Sequence, residues 1–282
     1  MKIAIGRDLI KFEEVKPGIQ KVSLNIQELY ANRKDQEEFE ERLCQFLKSD
    51  PYNSHIIRLE DKQLIYRTEC ILPEKKDSRL PLLLLLGNPA SHSVYSEMFF
   101  SFESARGREH RFWGALKKAG ILSFRSSSNL ERKKELYDLS YNSPFRIGLA
   151  TFYSMPSGAS GMWLGVDGLR KLFRKKALRR IADCEKARVD GLIRKFLSPE
   201  GGAVFAFQKD AYLGIKSRES HDYNLDETKK GELVGVCQCD SNVRLYCLPP
   251  TRLIEGKKTL DLLHNFRERV LGDSNLRAPE EK

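Results

Sequence analysis

Leu82-Leu83-Leu84-Leu85-Leu86-Gly87-Asn88-Pro89 is the stretch on which the fold class turns. A continuous apolar run closed by Gly and Pro suits a strand buried on both faces, as in parallel sheets. Open α/β sheets bind ligands in the crevice beyond the carboxyl ends of their strands. Asn88 is a polar amide at such an end, where chemistry is usually placed. The stretch continues through Met98-Phe99-Phe100 and Phe102 to Arg111-Phe112-Trp113, and closes at Ala119-Gly120-Ile121.

Working outward, Arg111 to Ala119 reads as a helix with Phe112, Ala115, Leu116 and Ala119 on one face and Gly120 as its left-handed cap. Arg146 to Phe152 reads as a second strand, and Pro156 to Gly161 as a flexible loop. Leu169 to Leu197 is a long helical region with a break expected near Asp190-Gly191. Its first half carries Arg170, Lys171, Arg174, Lys175, Lys176, Arg179 and Arg180 beside an apolar stripe of Leu169, Leu172, Phe173 and Ile181. The basic run reads either as a track for nucleic-acid phosphates or as a solvated face. Val234–Cys239 and Val243–Leu248 flank Asp240-Ser241-Asn242, a hairpin signature. Thr259 to Leu271 is the closing helix, with Gly272 beyond its end.

Upstream, residues 35 to 48 form a helix with Phe39, Leu43, Phe46 and Leu47 on one stripe and acids in its first turns. Asp50-Pro51 ends it. His55–Leu59 and Leu64–Thr68 read as strands around Glu60-Asp61-Lys62. This region is short of apolar residues for its own core. The expected organisation is an extension over residues 1–77 packed on a core over 78–272, followed by a polar tail over 273–282. A separate regulatory domain is the alternative for the first segment.

Composition narrows the partners. The chain has 282 residues and a formal net charge of +10, from 49 Lys and Arg against 39 Asp and Glu. Such an excess favours polyanions, because cationic side chains release counterions from phosphates. Charges at Arg7, Asp8 and Lys11 interrupt any signal-peptide core, and the leucine run is too short to span a bilayer. The expectation is a cytoplasmic protein without membrane contact, and a monomer by default. The six cysteines, Cys44, Cys70, Cys184, Cys237, Cys239 and Cys247, contain no CxxC pair. Reduced thiols and no metal site or cofactor are expected.

Together these motifs resemble the uracil-DNA glycosylase superfamily, most closely its mismatch-specific uracil/thymine branch. In that branch a strand ends in a Gly-(Ile)-Asn-Pro turn, a loop carries a Phe or Tyr, and a helix begins Arg-Phe-Trp and ends Ala-Gly. The matching residues are Gly87, Asn88 and Pro89, then Phe99, Phe100 or Phe102, then Arg111, Phe112, Trp113, Ala119 and Gly120. Val204 to Tyr212 looks like the family's third strand and following helix. Leu245-Tyr246-Cys247-Leu248-Pro249 looks like its late strand before the DNA-inserting loop. The resemblance covers roughly residues 78 to 271. It implies a three-layer αβα sandwich around a mostly parallel four-stranded sheet, with the amino-terminal region as an α+β extension.

The resemblance also implies a chemistry. Uracil leaves as a delocalised anion, so the enzyme must extrude the nucleotide, hold the base, stabilise the departing charge and place a water. Asn88 matches the water-positioning residue; the bland reading is a turn residue. Gly87, Pro89, Phe100 and Phe102 fall at the base pocket, with Phe100 and Phe102 on one face if the segment is extended. Glu97 and Glu103 are alternative water-positioning carboxylates. His92 and His110 are either donors to the base or ordinary surface and helix-start residues.

The chain departs from the family in two places. The 111 − 88 = 23 positions from Asn88 to Arg111 exceed the branch's spacing and leave the base open. Pro250 stands where the family places a polar group; Thr251 offers a hydroxyl, and Arg252 or Leu253 a wedge for the gap left by the extruded base. Loss of one such donor costs about 10²- to 10³-fold in rate. Two readings therefore stand: a glycosylase removing uracil or a related damaged base from DNA, and a catalytically silent relative that binds nucleic acid. A nucleotide enzyme of another α/β class would need a phosphate-cradling loop, and neither GxGxxG nor GxxxxGK[ST] occurs.

Overall fold

Pro81 to Leu86 are all buried, as the apolar run requires. The computed structural model describes residues 9–101, 109–158, 161–198 and 200–275. In chain order it places β1 (Ile10–Lys16), β2 (Ile19–Asn25), α1 (Ile26–Leu29), α2 (Arg33–Lys48), α3 (Asn53–Ile56), β3 (Ile57–Glu60), β4 (Gln63–Glu69) and β5 (Leu80–Leu86). There follow α4 (Ser91–Tyr95), α5 (Arg111–Lys118), α6 (Asn129–Asp138), β6 (Phe145–Thr151) and α7 (Gly165–Leu197). The chain continues with β7 (Gly202–Ala206), α8 (Lys209–Ile215), α9 (Leu225–Lys230), β8 (Val234–Val236), β9 (Val243–Cys247) and α10 (Lys257–Asn275).

The protein is a mixed α/β chain with two separate sheets. One is antiparallel, in the order β1-β2-β4-β3; the other has five strands, in the order β6-β5-β7-β9-β8. In the second sheet β5, β7 and β9 are parallel neighbours. Five strands stand where four were expected, because the hairpin through Asp240–Asn242 lays β8 antiparallel on β9. Contacts gather into two compact units. The first comprises Met1–Ile71, Gly87–Ser101 and Thr151–Val189; the second comprises Leu72–Leu86, Phe102–Ala150 and Asp190–Lys282.

In the second unit the parallel strands form a dry core. Leu82–Leu85, Val204, Phe205 and Leu245 have no exposed surface. Phe205, Tyr246 and Phe266 pack as an aromatic trio with centroids 4.7 to 6.0 Å apart. Each such side chain contributes about 1.5–3 kcal/mol by leaving water. The helix from Arg111 ends as expected: Gly120 takes φ +68, and Ile121 N donates to Leu116 O at 2.9 Å. The closing helix runs on through Gly272 to Asn275, so this glycine does not terminate it. α6, unexpected from the hydrophobic pattern, carries the Ser128-x-x-Glu131 spacing of a capped start, and Glu131 N donates to Ser128 Oγ at 3.2 Å.

In the first unit, β3 and β4 turn through Asp61 and Lys62, both left-handed at φ 47 and 62, as a two-residue hairpin with the sheet's own twist demands. His55 belongs to α3 rather than to a strand. α2 buries Phe39, Leu43 and Phe46; Phe39 stacks on Phe173 at 5.6 Å and Phe46 meets Trp163 edge-on at 5.6 Å. The break in α7 falls at Arg174 (φ 66, ψ 162), not at Asp190-Gly191. A break there strips Leu172 and Phe173 carbonyls of helical donors. Arg42 Nε takes the Leu172 oxygen at 2.9 Å and Tyr30 Oη takes the Phe173 oxygen at 3.0 Å.

Candidate active site

β5 delivers Asn88 two residues beyond its last leucine. Tyr153 N donates to Gly87 O at 2.8 Å, and Ser157 N donates to Pro89 O at 3.1 Å. The Asn88 amide nitrogen has three acceptors: Ser157 Oγ at 2.9 Å, Pro89 O at 3.2 Å and Met155 O at 3.4 Å. Three acceptors on one side identify that end as the NH₂, because an amide oxygen could bond neither carbonyl. Asn88 Oδ1 accepts no hydrogen bond from the described residues and faces Gly165, whose position has φ +57. A Cβ at residue 165 would lie 3.8 Å from this oxygen.

The segment that holds the amide is itself held from below. Glu185, fully buried, accepts from Ser154 N at 2.6 Å and from the Ser154 hydroxyl, and Arg188 Nε donates to its other oxygen at 2.6 Å. Arg188 Nη2 also donates to Thr151 O at 2.6 Å and Phe152 O at 3.1 Å. Tyr66 Oη meets Ser154 Oγ at 2.8 Å, and burial pushes the Tyr66 phenol well above its ordinary range. A fully partnered ion pair of this kind fixes backbone geometry rather than supplying a proton. Pro156–Gly158 is therefore an anchored segment, correcting the expectation of a flexible loop there; Ala159 and Ser160 of that loop lie outside the described residues. No local pattern in the sequence marks Ser157 or Gly165 as a neighbour of Asn88. A Ser-Gly pair in a loop carries no sign of a partner 69 positions upstream.

Met98, Phe99 and Phe100 lie in a turn, with Glu97 and Phe100 left-handed at φ 59 and 49. The alternation that would pair Phe100 with Phe102 requires an extended segment and does not apply. Phe99 is buried and Phe100 half-buried. Phe102 and Glu103 lie outside the described residues. Glu97 pairs with Lys16. His110 caps α5, its Nδ1 accepting from Phe112 N at 3.2 Å, and His92 is buried in α4. Phe112 and Trp113 are core residues, meeting Phe207 and Phe124 edge-on at 5.5 and 5.0 Å.

In the second unit the ends of β7 and β9 carry Gln208 and Leu248-Pro249. Gln208 caps α8, and Leu248 N donates to Ala206 O at 2.8 Å. Pro250 starts a 3-10 turn over Thr251–Leu253, in which Arg252 and Leu253 are exposed and Thr251 and Pro250 are half-buried. The turn packs Ile254 fully inside. Burial pushes the Cys247 thiol up to about 12 and Cys239 up to about 11, and raises Cys237 as well. Burial of this kind holds the thiols in their protonated form at neutral pH. Among the described residues no group of three or more His, Cys, Asp or Glu side chains is placed to hold a metal ion. No helix among them is long and apolar enough to cross a membrane. No protein-family model matches the chain, and no curated protein does.

Proposed function

We propose that this protein is a DNA base-excision glycosylase acting on uracil or a related damaged base. Water adds to the sugar C1′ and gives up a proton to solvent, while the N-glycosidic bond breaks and its electrons leave with the base as a delocalised anion. The observation that carries the reading is the Asn88 amide: its nitrogen end is saturated by protein acceptors, and its oxygen accepts nothing from the described residues. Such an oxygen can orient an attacking water without acting as a base. Gly87 and Pro89 shape the pocket wall, and Phe100 or Phe102 stacks on the extruded base. Thr251, Arg252 and Leu253, after Pro250, supply the wedge that the resemblance calls for. The reading carries with it a three-layer αβα core over residues 78–272, an extension over 1–77 and monomeric, cofactor-free action on DNA in the cytoplasm.

The test is incubation with uracil-containing single strands and U·G duplexes, followed by alkali. Strand cleavage is expected, reduced about 10²- to 10³-fold by Asn88→Ala, the range for loss of one preorganised group. Ser157→Ala frees one anchor of the amide and is expected to lower turnover about tenfold with the melting temperature nearly unchanged. Cleavage no higher than that of Asn88→Ala on every damaged base tried removes the proposal. Pro250 favours a second reading, a silent relative that binds nucleic acid, because no polar side chain stands at that position. It predicts salt-dependent binding without product.

A further inference from the structure

We infer that the basic face of α7 between Arg170 and Arg180 is a docking surface for the phosphate backbone of duplex DNA. All seven cations, Arg170, Lys171, Arg174, Lys175, Lys176, Arg179 and Arg180, are exposed. The four residues between them, Leu172, Phe173, Ala177 and Leu178, are at most 5% exposed. Every side chain this stretch presents to solvent is therefore cationic. Arg170 pairs with Asp167, and Arg180 donates to the Glu28 and Leu29 carbonyls. The other five have no carboxylate partner among the described residues.

A solvated helix face ordinarily mixes signs, because i,i+4 pairs of opposite charge support the helix and like pairs weaken it. The carboxyl-terminal part of the same helix follows that rule, with exposed Asp183 three residues before Lys186 and Asp190 four residues before exposed Arg194. Residues 170–180 contain no acid at all, and beyond the break at Arg174 the pairs Lys175/Arg179 and Lys176/Arg180 are like pairs at i,i+4. This face is electrostatically unfavourable until a polyanion covers it. The chemistry selects among polyanions. No apolar side chain is exposed within the stretch, so nothing inserts into a bilayer. No aromatic is exposed there either, so nothing stacks on unpaired bases. What remains is the backbone of a duplex, where phosphates face outward and bases do not.

This inference deepens the glycosylase reading by naming how the partner is held, and its test uses an undamaged duplex so that the two stand or fall separately. Binding of a labelled 20-bp duplex by the full chain is followed by anisotropy at several salt concentrations. The ridge variant K175Q/K176Q/R179Q is compared with K11Q/K34Q/K48Q, which removes the same charge from exposed sites elsewhere. The slope of log K against log salt is expected to flatten by about 2 to 3 in the ridge variant, near 0.9 per lost phosphate contact, with binding about 10²-fold weaker at 0.1 M salt. The melting temperature is expected to hold or rise as like-charge repulsion is removed. Equal weakening in both variants, or none in the ridge variant, overturns the inference. So does ridge-dependent binding that is tighter to a single strand or to phosphatidylserine vesicles than to the duplex.

Discussion

The two sheets solve burial in opposite ways. In the five-stranded sheet β6 is buried at all seven positions and β5 at six of seven; in the antiparallel sheet β1 buries one residue of seven. A parallel sheet covered on both faces leaves no strand surface for chemistry, so polar function moves to strand ends. An antiparallel strand can keep one wet face and tolerate Lys, Glu and Gln along its length. The difference teaches where substitutions hurt and where they are absorbed.

The sharpest contrast is Leu84→Ala in β5 against Val15→Ala in β1. The first opens a cavity in a fully buried site and is expected to cost about 3–4 kcal/mol. The second removes a side chain 58% exposed and is expected to cost under about 0.5 kcal/mol. Equal midpoints in urea unfolding would break the comparison.

Next comes the one buried charge in β6. Arg146 is 1% exposed; its Nη2 donates to Phe196 O at 3.2 Å and to Glu200 at 2.7 Å, and its Nε and Nη1 find no acceptor among the described residues. It lines a cavity of about 170 Å³ together with Leu72, Lys195 and Phe196. Glu200→Ala leaves this guanidinium uncompensated and is expected to cost about 3 kcal/mol, whereas Arg146→Met removes the charge altogether and is expected to cost much less. A larger loss in Arg146→Met than in Glu200→Ala, again by urea unfolding, would show that the cation itself holds the strand.

The thiols extend the comparison to alkaline pH. Cys239 and Cys247 are raised to about 11 and about 12 by burial in the second unit. A group whose folded pKa lies above its unfolded value holds its proton longer when folded. Its contribution is complete below about pH 9 and is lost as pH climbs towards 12. Stability is therefore expected to fall over this window, and to fall less in Cys247→Ala when each chain is scaled to its own stability at pH 8. Titration with a thiol reagent at pH 8 is expected to modify exposed Cys44 first and Cys247 only on unfolding.

The smallest effect is in the hairpin of the antiparallel sheet. Lys62 is left-handed, and Lys62→Gly is expected to stabilise by roughly 0.5 kcal/mol, the steric relief being partly offset by backbone entropy and by loss of the Glu40 pair. Destabilisation on thermal melting would mean that the ion pair outweighs the turn.

The sequence by itself determined the elements whose pattern is local. The leucine run, the capped helix from Arg111, the Phe39-Leu43-Phe46 stripe and the hairpin at Asp240–Asn242 each carry their cause within a few residues. β1 and β2 carry no such local signal, because Glu13-Glu14 and Gln20-Lys21 interrupt the apolar alternation on either side of Pro17-Gly18. Tertiary structure decided what depends on distant partners. The α7 break sits at Arg174, where Tyr30 and Arg42 take the freed carbonyls, and no local residue marks it. Asn88 was legible as a strand-end amide, but its orientation comes from Ser157 and Met155, and their placement comes from Glu185 and Arg188. Local sequence specifies dihedral preference and apolar periodicity; the direction in which a buried amide points is set by acceptors that folding brings from elsewhere in the chain.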